Sequence, residues 1–179
     1  NIKLMSAVIT GNKEFFPSVK KIEFEGKHSK NPLSFKYYNE SLMVRGKTMK
    51  EHLRFAVAYW HTLGGSGADP FGPGTKNFPW AQSTNTLQAA KDKMDAAFEF
   101  ITKMGIPYYC FHDFDLIAEG KTIPESEKNL QDITDILQIF LFVSPAILNG
   151  LYVSVHWGWY YHIPTLWHIS RLRTLLSNK

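Results

Sequence analysis

The sequence predicts an α/β fold with parallel strands, and three stretches carry that expectation. Phe55-Ala56-Val57-Ala58-Tyr59-Trp60 is an apolar run of strand length that ends at His61-Thr62. Residues 84–104 repeat apolar side chains at helical spacing, and Tyr108-Tyr109-Cys110-Phe111 is a second apolar run bounded by Gly105-Ile106-Pro107. A strand, a helix and a strand in that order make one βαβ unit, from Phe55 through Phe111, as at the start of a parallel barrel. At 179 residues the chain can bury a core of its own. It is too short for a complete (β/α)8 barrel, which takes about 250 residues.

Taken in order, residues 12–50 read as an extended, turn-rich arm. Phe16-Pro17, Gly26, Asn31-Pro32 and Gly46 punctuate short aromatic pieces such as Leu33-Ser34-Phe35-Lys36-Tyr37-Tyr38, whose rings are expected to pack on the domain. A helical turn is expected near Thr48, leading into the first strand. The loop Gly64–Gly72 is rich in glycine but lacks a following Lys-Ser/Thr and dinucleotide spacing, so it is a poor phosphate cradle. For the long helix, Thr84 or Thr86 is the expected N-cap. Leu87, Ala90, Met94, Ala97, Phe98 and Ile101 form the buried face, and Gly105 is the stop. A second amphipathic helix is expected from Ile123-Pro124-Glu125, burying Leu130, Ile133, Ile136 and Leu137.

The net charge of +4 and pI near 9.1 are mild. Basic residues (Lys20-Lys21, Lys27, Lys30, Lys47, Lys50) are scattered among acids rather than set in a stripe, which speaks against nucleic-acid binding. Cys110 is the single cysteine, so no intrachain disulfide or cysteine metal cluster can form, and a reducing, cytoplasmic compartment is expected. Asn1–Thr10 lacks the apolar core and cleavage pattern of a signal peptide, and an opening on Asn rather than Met suggests that residues precede it.

Chemistry points to Tyr108-Tyr109-Cys110-Phe111-His112-Asp113-Phe114-Asp115. A buried strand that ends in His112, with Asp115 three residues later, can have its imidazole oriented and its cationic form stabilised by that carboxylate. In parallel α/β domains, functional groups collect at the carboxyl ends of strands. By motif alone, a structural histidine with a helix-capping aspartate is an equally good reading. Trp60, at the end of the first strand, reads as core before pocket. Phe71 reads as a loop anchor, Asp113 as a structural hydrogen-bonding partner, and His61 and Trp80 as structural.

The stretches YYCFHDFDL, LRFAVAYWHT and GADPFGPGTKNFPW, in that family's order and spacing, resemble the N-terminal part of the xylose isomerases in their long form. The resemblance runs from about Glu14 to Asp135. It implies a partial (β/α)8 TIM barrel holding the first βαβ units, with residues 1–50 as an N-terminal extension arm, 51–135 as the barrel portion and 136–179 as an atypical tail. It implies that His112 contacts the cyclic sugar and assists ring opening, that Asp115 orients it, and that Trp60 walls the sugar site. Phe71 would reach across a subunit interface into a neighbouring pocket of a homotetramer. The implied reaction interconverts D-xylose and D-xylulose by a hydride shift with two divalent cations (Mg²⁺, Mn²⁺ or Co²⁺). The carboxylate ligands of those ions have no counterpart in this chain, so weak or absent activity is expected. A non-catalytic fragment or interaction protein is the alternative. An endonuclease-IV-like barrel is disfavoured by the Trp60-His61 and Asp69-Pro70-Phe71-Gly72 motifs.

Beyond Asp135 the character changes. Of 36 charged side chains, residues 136–179 hold only Arg171, Arg173 and Lys179. The uncharged run 136–155 is nominally long enough to span a bilayer, but Gln138, Ser144, Pro145, Asn149 and Gly150 within it argue against a membrane segment. His156, His162 and His168 recur every six residues, which suits neither a helix face nor a metal site. The tail is expected to be foreign to the family, the product of a frameshift, a retained intron or a mispredicted exon.

Overall fold

A computed structural model describes residues 13–106 and 108–143. The expected βαβ unit is its centre. Strand β3 (Ala56–Ala58) pairs in parallel with β4 (Tyr108–Cys110), in the register Ala56 to Tyr108, Val57 to Tyr109 and Ala58 to Cys110. Helix α2 (Thr86–Met104) makes the crossover between them. Ahead of it stand a two-stranded antiparallel hairpin, β1 (Met43–Val44) with β2 (Lys47–Thr48), and a single helical turn, α1 (Met49–His52). Behind it come α3 (Asp113–Leu116) and α4 (Ile123–Val143). The result is mixed α/β, with two small sheets among the described residues. No helix among them is long and apolar enough to cross a membrane.

The hairpin turns on Arg45 (φ 48°) and Gly46 (φ 83°), two successive positive φ values that match the twist of paired strands. The sequence reading gave Gly46 only a turn. Helix α1 begins where expected, because Thr48 and Glu51 cap each other: the Glu51 amide donates to Thr48 Oγ1 (3.3 Å) and the Thr48 amide to Glu51 Oε2 (2.7 Å).

The first strand is shorter than its apolar run. Pairing stops at Ala58, Tyr59 takes helical dihedrals (φ −57°, ψ −46°), and Trp60–Gly64 winds into one π-helical turn. The cause is the partner: β4 ends at Cys110, so the residues beyond Ala58 have no strand to bond. The turn drives Leu63 into the core and leaves its carbonyl to accept from Trp80 Nε1 at 2.9 Å. Trp80 lies in a 3₁₀ turn (Pro79–Ala81) and stacks on Phe78. It is thereby a buried clamp on the π turn.

The α2 N-cap is Asn85 rather than either neighbouring threonine; its Oδ1 accepts from the Gln88 amide at 2.9 Å. Asn outranks Thr as a cap, and Thr86 becomes the first helical residue. The helix stops at Gly105 in the left-handed region (φ 67°), with its amide donating to the Thr102 carbonyl and that of Ile106 to the Ile101 carbonyl. Ala90, Met94, Ala97, Phe98 and Ile101 are buried and Leu87 partly so, against Val57, Tyr109 and Phe111 of the sheet layer. In α4, Ile133 and Leu137 are buried, with Leu130 and Ile136 packed beside them.

The opposite side of α2 is covered by the arm. Asp92 and Glu99 are buried there, and the arm satisfies both. Lys13 Nζ reaches Asp92 at 3.0 Å, and the Phe15 and Phe16 amides donate to the Glu99 carboxylate at 2.7 and 3.0 Å. Lys103 ties the group together through Glu99 (2.6 Å) and Glu14 (3.0 Å), and the Ile22 amide donates to the Lys103 carbonyl at 2.7 Å. Phe15 meets Trp80 edge-on, and Phe16 packs between Trp80 and Phe100. Further along, Phe35, Tyr38 and Phe55 form an edge-to-face ladder, while Tyr37 stays exposed.

Helix α4 continues to Val143, past the point where the sequence changes character. Residues 144–179, with His156, His162, His168 and most of the 136–155 stretch, lie outside the described residues, as do residues 1–12.

Candidate functional site

Where β4 gives out, Phe111 is buried and His112 is the extended residue that opens α3. Asp115, in the first turn of that helix, folds its carboxylate back over the helix start. Its Oδ2 accepts from the His112 backbone amide at 2.8 Å and lies 2.7 Å from His112 Nδ1. One oxygen thus fixes both the backbone and the ring of the same residue, which the three-residue spacing makes possible. The imidazole is 12% and the carboxylate 9% exposed, so the pair interacts in a dry environment while the ring edge stays reachable.

Two aromatic rings flank the imidazole. Trp60, delivered by the π turn at the carboxyl end of β3, lies 4.4 Å from it between ring centroids, tilted at 44°. Phe114 is parallel to it at 5.2 Å. Trp60, His112 and Asp115, chosen from sequence, are therefore brought together at the carboxyl ends of neighbouring parallel strands. Phe71 is not. Its loop is pinned by Asp69, whose Oδ1 accepts from the Phe71 and Gly72 amides at 2.9 and 3.1 Å, and the ring projects outward, 96% exposed. His61 is exposed beside Trp60.

Several neighbours were not singled out in the sequence. Tyr59 is buried behind the pair, with a hydroxyl that has no hydrogen-bond partner among the described residues. Its phenol is pushed above the ordinary range by burial, then by the charges of Asp115 and Asp95. Lys93, on α2, holds its Nζ over the Tyr59 ring, 5.6 Å from the centroid. Burial lowers its amine below the ordinary lysine range, partly opposed by Asp115. Cys110 points its thiol at the Val57 carbonyl (3.7 Å) and is raised by burial and by Asp115. A signal for Lys93 was present: it lies three residues after Ala90 and four before Ala97, inside the apolar stripe.

A cleft of about 520 Å³ opens beside this corner, between the π turn, residues 76–86, the start of α2 and Leu116–Ala118. Lys93 lines it; Trp60, His112 and Asp115 do not. Among the described residues, no group of three or more His, Cys, Asp or Glu side chains could hold a metal ion. The arrangement suits proton transfer to or from an oxygen placed against an aromatic wall.

No known family model matches the chain. Curated relatives do. The xylose isomerase of Bacteroides thetaiotaomicron is 60% identical over 121 residues, 68% of this chain and 28% of that protein. Xylose isomerase 2 of Xanthomonas campestris pv. campestris is 55% identical over 133 residues, 74% of this chain and 30% of that protein. The xylose isomerase of Phocaeicola vulgatus is 58% identical over 121 residues, 68% of this chain and 28% of that protein. The chain spans less than a third of the length of these relatives.

Proposed function

We propose that this chain, which shares an N-terminal portion with the xylose isomerases, carries the sugar-ring corner of an aldose–ketose isomerase acting on D-xylose and D-xylulose. The observation that supports this is the His112–Asp115 pair, 2.7 Å apart beside Trp60 at the ends of two parallel strands. His112 Nε2 exchanges a proton with the ring oxygen or the anomeric hydroxyl of the cyclic sugar, so that the ring opens. Asp115 orients the imidazole and stabilises its cation. Trp60 gives the sugar an apolar wall that keeps water from the reacting carbons. In this reading the fold is the first part of a TIM barrel (51–135), preceded by an arm (1–50) and followed by a tail (136–179) foreign to the family. The setting is cytoplasmic. Phe71 enters a neighbouring subunit's pocket in a tetramer, which would account for an aromatic ring left in solvent.

Divalent cations in such isomerases hold and polarise the sugar oxygens. The described residues do not fit that group, since they gather no ligand cluster. No step is therefore routed through a metal, and the chain is expected to turn over little or no sugar on its own. The stretch 136–179, free of Glu and Asp, favours a second reading, a non-catalytic fragment that keeps the His112 corner.

The test is conversion of D-xylose to D-xylulose by the purified chain with Mg²⁺, Mn²⁺ or Co²⁺, beside a full-length relative, with D-xylose binding followed by the His112 ring resonances. Binding that His112→Ala abolishes, with turnover far below the relative's, supports the isomerase-corner reading. Sugar that leaves those resonances unmoved supports the fragment reading and removes the sugar site.

A further inference from the structure

We propose that Trp80 is a positioning residue that carries the docking of the N-terminal arm through the π turn to Trp60, so that Trp60 stands against His112 only while the arm is down. This deepens, and rests on, the reading of Trp60 as the wall of a sugar site. The π turn (Trp60–Gly64) lies beyond the last paired residue of β3, and such turns are rare and occur mostly singly, at functional sites. With no strand beside it, side chains from elsewhere hold it. Leu63 is sunk in the core, and its carbonyl, left over at the end of the turn, accepts from Trp80 Nε1 at 2.9 Å. Trp60, at the start of the same turn, lies 4.4 Å from the His112 imidazole between centroids. Where the Trp80 indole points therefore bears on where the Trp60 ring sits.

The arm in turn holds Trp80. The indole is buried and stacked on Phe78 at 4.9 Å, with Phe15 edge-on at 5.9 Å and Phe16 tilted at 6.1 Å. Phe15 and Phe16 are also the residues whose backbone amides donate to the Glu99 carboxylate, at 2.7 and 3.0 Å. Backbone docking and ring packing thus occur together, and lifting the arm takes both rings from Trp80 at once. An indole released on that scale loses its fixed N–H direction, and a hydrogen bond weakens steeply as its angle opens. The π turn then relaxes and Trp60 moves off the imidazole. Arm docked and arm lifted are the two states that such coupling requires, and a segment near a chain end opens before a core does.

The test is NMR of the full chain without sugar, following the His112 ring protons, which the ring current of Trp60 displaces. Trp60→Ala sets the positions expected when the wall is gone. Trp80→Phe keeps an aromatic ring but removes the N–H donor; the double variant Phe15→Ala/Phe16→Ala removes the arm's rings and leaves Trp80 intact. Both are expected to move the His112 resonances toward their Trp60→Ala positions, while the Ile133 and Leu137 amides of α4 stay where they are. Resonances that stay put in Trp80→Phe but move in Trp60→Ala overturn the role of Trp80. Movement in Trp80→Phe without movement in the arm variant overturns the role of the arm. An equal displacement of the α4 amides makes the effect one of general packing and also overturns the proposal. Trp60→Ala without effect removes the contact with His112 itself. A wild type that shows the coupling yet binds no D-xylose removes the sugar reading alone. Should Trp80→Phe fail to fold, the arm variant decides, and unmoved His112 resonances there overturn the proposal.

Discussion

Tyr59 and Tyr109 carry their phenols into the core without a hydrogen-bond partner among the described residues, and burial raises both above the ordinary tyrosine range. In the unfolded chain both ionise near pH 10. Above that pH the folded state holds protons that the unfolded state has lost, so stability falls as pH rises through the alkaline range. Of the eight tyrosines, these two should stay silent in a 295 nm titration until the fold gives way, in one cooperative step. A smooth titration of all eight from pH 10 would disprove their burial. At this scale the sequence disclosed Trp60, His112 and Asp115, because a strand end and a three-residue spacing are local patterns. It did not disclose that Lys93 lies over Tyr59, because that approach depends on how α2 rolls against the sheet.

Helix α2 shows what a single-face pattern leaves out. Its apolar stripe, its span and its glycine stop were all legible, yet Asp92 and Glu99 look like a solvated face in the sequence and are buried. The arm that covers them lies more than 75 residues away in the chain, so no helical periodicity reports it. Glu99 accepts two arm amides and pairs with Lys103; replacing it with Ala leaves those donors unsatisfied and is expected to cost about 1–3 kcal/mol. Hydrogen exchange at the Phe15 and Phe16 amides should accelerate well before the α2 core responds, whereas unchanged protection would show that the arm is held by its aromatic rings alone. At the other end of the helix, a Cβ at Gly105 meets only Lys21 Cε, at 3.9 Å, so Gly105→Ala tests the left-handed backbone and nothing else. Denaturant melts should show a loss of about 1 kcal/mol. The β1–β2 hairpin was missed because only one of its two turn residues, Gly46, is a recognised positive-φ residue.

For the molecule as a whole, the weak point is the β3–β4 pair. A two-stranded sheet is marginal by itself, and among the described residues no third strand joins either side. Phe55 and Ala56 are exposed at its entry. Unpaired strand edges recruit other chains, so light scattering should show association that grows with protein concentration. Ala56→Lys should suppress it without weakening the fold, and a monomer at all concentrations would show that the edges are covered. The parallel βαβ order was legible because it needs only the succession of apolar runs. Strand length was not, because the point where β3 stops is set by the end of its partner.

The clamp between arm and helix also governs timing. Phe15 and its acceptor Glu99 are separated by 84 residues, so a nascent arm has nothing to bind until α2 has been made. At ribosomal rates of about 5–20 residues per second, that interval is roughly 4–17 s. Through it Phe15 and Phe16 travel uncovered, a window in which a chaperone, rather than the fold, decides the fate of the chain.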